Sequence, residues 1–235
     1  MDNRKSPLIR VKNLRKEYPA GEDKVIALND ISFEIMQGEI CCIFGTSGSG
    51  KSTLLNQLAG LESPTSGEVL IGNIPISKLS ENDLAIFRQK YLGFIFQSYN
   101  LMQTMTALEN TALPLIFKGI DKKTREERAK AILKTVGLSN RLNHYPNQMS
   151  GGQQQRVGIA RAFITKPKIV FADEPTGNLD TKTTVEVMNM IKDFAKKYNQ
   201  TIILVTHEPE LAEYATRVIT LADGKIIDDI RKEYK

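Results

Sequence analysis

Gly45-Thr46-Ser47-Gly48-Ser49-Gly50-Lys51-Ser52 constrains this chain more than any other stretch. The apolar run Ile40-Cys41-Cys42-Ile43-Phe44 precedes it, and Thr53-Leu54-Leu55-Asn56-Gln57-Leu58-Ala59 follows. Strand, glycine-rich turn and helix thus stand in the order a phosphate-binding loop needs. Glycines let successive backbone N–H groups bend around an anion without Cβ clashes. The helix starting near Lys51 aims its positive dipole end at the same point. Lys51 adds a mobile charge for terminal phosphates, and the Ser52 hydroxyl is of the type that ligates Mg²⁺. The pattern predicts a nucleoside triphosphate site inside an α/β fold.

At 235 residues the chain has room for one large domain, or one domain with an insertion. Its net charge of +5 is spread out, with small clusters at Arg4-Lys5 and Lys122-Lys123. That reads as a solvated surface, so no nucleic-acid partner is expected. Cys41 and Cys42 are neighbours in the predicted strand and point to opposite faces, as buried hydrophobes in a reducing compartment do. Met1–Pro7 lacks an apolar export core, and no apolar run has the length of a membrane span. The expectation is a cytoplasmic protein whose membrane role, if it has one, comes through a partner.

Residues 8–17 and 25–36 read as antiparallel strands separated by the turn cluster Pro19-Ala20-Gly21-Glu22-Asp23. Tyr18, at the end of the first, is either a ring that stacks on a base or a core tyrosine. Glu68–Ile71 reads as a strand, Ser80 as a helix cap, and Tyr91–Phe96 as a strand that ends at Gln97. From Ser98 to about Asn147 the pattern turns helical. Thr106–Lys118 carries Pro114 and is expected to kink or break. Thr124–Val136 has the periodicity of an amphipathic helix that stops at Gly137. This block reads as a helical lobe inserted between strands.

Ser150 caps a helix that opens with Gly151, Gly152 and Gln153 and runs to about Thr165. Two glycines in a first turn weaken a helix by about 1 kcal/mol each, so a close approach to bare backbone is expected there, a second anion site like the first. Ile169–Ala172 is a buried strand ending in Asp173 and Glu174. At the carboxyl edge of a parallel sheet, Asp173 is suited to hold Mg²⁺ through water and Glu174 to orient or deprotonate a hydrolytic water. Thr201–Val205 leads to His207 on the same edge, and Val218–Asp228 forms a hairpin before a short charged tail.

The ordered set of phosphate loop, Gln97, Ser150-Gly-Gly-Gln153, Asp173-Glu174, Asn178-Leu179-Asp180 and His207 resembles the ATP-binding subunit of ABC transporters. Phe94–Leu101, Leu108-Glu109-Asn110 and Glu174–Asp180 narrow the resemblance to the macrolide-exporter and lipoprotein-release (MacB/LolD-like) group, which includes the cell-division ATPase FtsE. The chain departs from the pattern at Met149, where Leu is usual, and at Glu208, where Asp is commoner. The resemblance implies an ABC ATPase fold: a P-loop core with a mixed sheet (1–97 and 148–235), an antiparallel β part, and a helical subdomain at about 98–147.

It also implies a homodimer that closes over ATP and drives a separate membrane permease, docked near Ser98–Gly119. Tyr18 would stack on adenine. Gly45, Thr46, Ser47, Gly48, Ser49, Gly50, Lys51, Ser52 and Thr53 would surround the phosphates, and Ser52, Gln97 and Asp173 would serve Mg²⁺. Ser150 and Gly152, with Gly151 and Gln153 beside them, would reach the γ-phosphate of the opposite copy, and Asp180 would face the opposite phosphate loop. Glu174 would act as general base, with Gln97 and His207 beside it. A mechanical transmitter of the FtsE type is the alternative, and an ABC ATPase acting on DNA or the ribosome is a weaker one. A GTPase is disfavoured because no Asn-Lys-x-Asp motif is present.

Overall fold

A computed structural model describes residues 6–21 and 23–232. Arg4-Lys5, most of the Met1–Pro7 segment, Glu22 of the turn cluster and the last three residues of the charged tail lie outside the described residues. The chain divides into two compact units, Met1–Arg88 with Thr201–Lys235, and Gln89–Gln200.

In the first unit, β1 (Ile9–Ala20), β2 (Asp23–Ile35), β4 (Ser66–Ile71) and β5 (Ile74–Pro75) form an antiparallel sheet in the order β2-β1-β4-β5. Strand β1 runs through Pro19 to Ala20, so the turn is tighter than the sequence cluster suggested. Beside this sheet, β3 (Ile40–Phe44) pairs in parallel with β8 (Thr201–Thr206) on one side and β9 (Arg217–Ala222) on the other. Ile40, Cys41, Cys42 and Ile43 are all buried, as expected of a parallel strand covered on both faces. Burial raises the thiol pKa of Cys42 to about 12, so both cysteines pack as hydrophobes. Strand β10 (Lys225–Arg231) returns antiparallel to β9 through Asp223 and Gly224, whose φ values of 46° and 71° make a tight hairpin turn. Helix α1 (Lys51–Leu58) follows the glycine-rich loop. Helix α2 (Glu81–Tyr91) carries the chain from the first unit into the second.

In the second unit, β6 (Leu92–Phe96) and β7 (Ile169–Asp173) pair in parallel, with Phe94 stacked on Phe171 at 5.5 Å. Helices α3 (Ala107–Phe117), α4 (Lys122–Thr135), α5 (Gly151–Phe163) and α6 (Thr181–Tyr198) complete it. Helix α3 runs unbroken through Pro114. Its start is fixed by a reciprocal cap between Thr106 and Glu109, and Leu115 and Ala112 pack with Ala129 of α4 and Ile164. The buried Asn110 side chain binds Met102 N–H and the carbonyls of Met102, Met105 and Thr106, which pins the loop before α3. Tertiary packing and two local polar anchors thus outweigh the helix-breaking tendency of the proline. A short helix, α7 (Pro209–Ala212), follows β8 in the first unit.

Candidate functional site

The loop between β3 and α1 is shaped by its neighbours before any ligand is considered. Gly48 and Gly50 have φ values of 80° and 101°, a backbone that side chains resist. A Cβ on Gly50 would lie 2.5 Å from the Ala27 carbonyl, and one on Gly45 would strike the Leu221 carbonyl. Ser49 O accepts Gly224 N–H at 3.1 Å. The loop is therefore seated on β2 and on the β9–β10 hairpin.

Helix α1 begins at Gly50 in the left-handed conformation with no side-chain cap. Its first intrahelical bond is Leu54 N–H to Gly50 O, which leaves the N–H groups of Lys51, Ser52 and Thr53 without intrahelical acceptors. Lys51 is buried, and its ammonium donates to the Thr46 carbonyl at 2.7 Å. The Ser49 hydroxyl is buried with no hydrogen-bond partner among the described residues. Free N–H groups, a buried orphan hydroxyl and a lysine folded into its own loop fit a polyphosphate. Thr206 pairs with Phe44, so His207, one residue on, and Gly45 leave adjacent strands at the same edge.

Tyr18 lies half-buried on β1. Its hydroxyl donates to Glu62 at 2.7 Å, and the Lys16 ammonium sits 5.1 Å from its ring centre. Lys16 also donates to Ser63 O at 2.8 Å and lies 3.7 Å from the Glu62 carboxylate. Burial, then the bond to Glu62, raises the tyrosine pKa. One ring face is thus shared with a cation and the hydroxyl is engaged, which leaves the other face for stacking. Sequence reasoning left Tyr18 between two roles and missed Glu62, because the contact spans 44 residues.

In the second unit Phe96 pairs with Asp173, so Gln97 and Glu174 leave β6 and β7 side by side. Glu174 has a φ of 42°, a strained conformation for a non-glycine residue and one that recurs at functional sites. Asn178 donates to Gln97 O at 3.1 Å, and a Cβ on Gly177 would lie 2.6 Å from Gln97 Nε2. The Asp180 carboxylate caps α6 by accepting from the N–H and hydroxyl of Thr183, at 3.0 and 2.6 Å, and those bonds lower its pKa. The sequence reading had given Asp180 no such duty.

Helix α5 opens at a Ser150 cap, with close approaches at both of its first-turn glycines. Ser150 and Gln153 form a reciprocal cap, with Gln153 N–H to Ser150 Oγ at 3.3 Å and Ser150 N–H to Gln153 Oε1 at 3.1 Å. The glycines answer to this chain's own side chains. A Cβ on Gly151 would lie 2.6 Å from the Tyr99 hydroxyl, and one on Gly152 would lie 2.7 Å from Thr183 Cγ2. The signal for the cap was legible, since Gln stands three residues after Ser. The approach of Tyr99 and Thr183 was not, because it depends on packing.

A family model described as ABC transporter matches residues 28–177. An uncharacterised ABC transporter ATP-binding protein of Methanocaldococcus jannaschii is 54% identical over 225 residues, covering 96% of this chain and all of that protein. The macrolide export ATP-binding/permease protein MacB of Chlorobaculum tepidum is 46% identical over 226 residues, and the match spans 96% of this chain and 34% of MacB. Among solved structures, an ATP-binding cassette captured as a dimer in a post-hydrolysis state with ADP and Pi has a TM-score of 0.89 and 42% identity, covering 96% of this chain and all of that one.

Proposed function

The chain belongs to the ABC transporter family as an ATP-binding, ATP-hydrolysing subunit, and from that premise we propose that two copies close over ATP and drive a separate membrane permease of the MacB/LolD-like type. The observation that carries this reading is the uncapped tip of α1 behind the glycine-rich loop, an anion site complete in one chain. Lys51 leaves the Thr46 carbonyl and neutralises the β- and γ-phosphates. Ser52, Gln97 and Asp173 are the residues that would hold Mg²⁺, directly or through water. When bound, Mg²⁺ neutralises charge on the phosphoryl oxygens. Glu174 takes the proton of the attacking water and His207 steadies that water and the γ-phosphate. Tyr18 stacks on the base. Ser150, Gly151, Gly152 and Gln153, with Asp180, face the nucleotide of the opposite copy, and residues 98–147 act as the helical subdomain.

No helix among the described residues is long and apolar enough to cross a membrane. In this reading the permease supplies the membrane attachment, and this chain sits on its cytoplasmic side. The docking surface of this reading lies near Ser98–Gly119, and a cavity of about 570 Å³ in the second unit takes Leu115 and Lys118 from that segment. Leu115, Ile132 and Phe163 give it apolar walls, while Lys118, Arg128 and Lys197 add positive charge and its lining holds no carboxylate. That chemistry fits an apolar cytoplasmic segment of the permease that carries an acidic residue. Purified protein should release phosphate from ATP in Mg²⁺ and lose that activity in EDTA. Equal hydrolysis in both would overturn the mechanism.

A further inference from the structure

After β6 the chain turns sharply, and Tyr99 and Asn100 both adopt left-handed backbone, with φ values of 60° and 47°. Two successive non-glycine residues in that region are strained and persist only where the surroundings impose them. Here the imposing group is visible. Arg161, near the end of α5, donates from one guanidinium nitrogen to Asn100 O at 2.5 Å and from the other to Tyr99 O at 2.8 Å. It makes no ion pair with any carboxylate among the described residues; both of its hydrogen bonds go to these neutral carbonyls. Partial burial lowers its pKa.

Arg161 is one of several such grips. Gln155 of α5 donates to Phe96 O at 3.3 Å and also binds Pro175 O, and Asn178 donates to Gln97 O. Ser98 O accepts Asn100 N–H at 2.6 Å. The backbone carbonyls from Phe96 to Asn100 are thus all occupied, and three of them are held by α5. At the other end of the same helix the Tyr99 hydroxyl abuts Gly151. The turn that carries Gln97 is laid along α5 from Arg161 to the tip at Ser150.

We propose that Arg161 is a positioning residue that holds the strained Tyr99–Asn100 turn against α5, so that Gln97 and the Ser150–Gly152 tip shift as one piece when nucleotide engages. The inference rests on the reading of Gln97 and Ser150–Gly152 as nucleotide contacts. Arg161 touches neither nucleotide nor metal. Its whole effect runs through the backbone conformation it enforces, and that gives it a signature other than lost packing. Glycine adopts left-handed backbone at no steric cost, so glycine at position 100 removes part of the need for the restraint.

Steady-state Mg-ATP hydrolysis is measured for the full chain, for Arg161→Ala, for Asn100→Gly and for the double variant. Arg161→Ala is expected to lower kcat by about tenfold and leave KM for ATP within about twofold, since the α1 site is untouched. Asn100→Gly alone stays near the parent rate, and the double variant recovers to at least about a third of it. A double variant no better than Arg161→Ala, or a loss carried by KM, overturns the proposal. If Arg161→Ala yields no soluble protein, Arg161→Lys takes its place. Lysine keeps the charge but not the two-pronged grip, so the same order of rates, with the same rescue, is expected, and absence of rescue again overturns the proposal. Gln97→Ala separates the two levels of inference. An impaired Gln97→Ala with no rescue by glycine sinks the clamp alone, whereas an unimpaired one sinks the site reading and the clamp with it.

Discussion

The two helix tips assigned to phosphate are built in opposite ways. Helix α1 starts at a left-handed glycine with no side-chain cap, and its first N–H groups have no intrahelical acceptor. Helix α5 starts at Ser150 inside a complete reciprocal cap, which leaves only the Gly151 and Gly152 N–H groups of its first turn outside the box. The first tip is prepared for an anion in a single chain. The second holds Ser150 and Gln153 in their own cap and keeps only two glycine N–H groups for an anion, which the proposed reading assigns to the phosphate of a second copy. In the proposed reading one nucleotide binds before the dimer forms, and hydrolysis waits for closure.

Breaking the α1 side should have the largest effect. Lys51→Ala removes the only full charge in the loop and should lower kcat/KM for ATP by about 10³-fold or more, read in a phosphate-release assay. A loss below tenfold would mean that the loop is not where the phosphates sit. On the α5 side, Gly152→Glu places a carboxylate where the opposite γ-phosphate is expected. It should lower kcat by about 10³-fold while leaving affinity for a fluorescent ATP analogue nearly unchanged. Weakened binding of similar size would erase the contrast between the tips. Because a Cβ there meets Thr183, a thermal melt has to accompany the assay.

Smaller effects sharpen the contrast. Ser150→Ala deletes the α5 cap and should cost about 1 kcal/mol, a drop in Tm of about 2–4 °C for a chain of this size. An Ala substitution at Ser52, in the uncapped turn, should leave Tm nearly unchanged while activity in Mg²⁺ falls. Glu62→Ala frees the Tyr18 ring and should raise KM for ATP about threefold with kcat unaltered, whereas Glu62→Gln, which still accepts the hydroxyl, should stay near the parent value. A change in kcat would place Glu62 in some other role.

Local rules made half of this contrast legible in the sequence. The glycine pattern, Lys51 and Ser52 mark the α1 tip because strand, turn and helix are consecutive. Ser150 followed by Gln153 marks the α5 cap just as plainly, and Gly151 and Gly152 mark a close approach without naming the group that makes it. Their partners, Tyr99 and Thr183, lie 52 and 31 residues away in the chain, and no periodicity reports them. Arg161 on the Tyr99–Asn100 carbonyls and Glu62 on Tyr18 were hidden for the same reason. Pro114 misled in the other direction, since a local breaker yields to a helix anchored by Thr106, Glu109 and Asn110.

Light scattering on Glu174→Gln protein with Mg-ATP tests the central claim most directly. With the base removed, bound ATP persists, and the account predicts a species of twice the chain's mass that returns to a single chain when nucleotide is withdrawn. A species of one chain's mass at saturating Mg-ATP would contradict it.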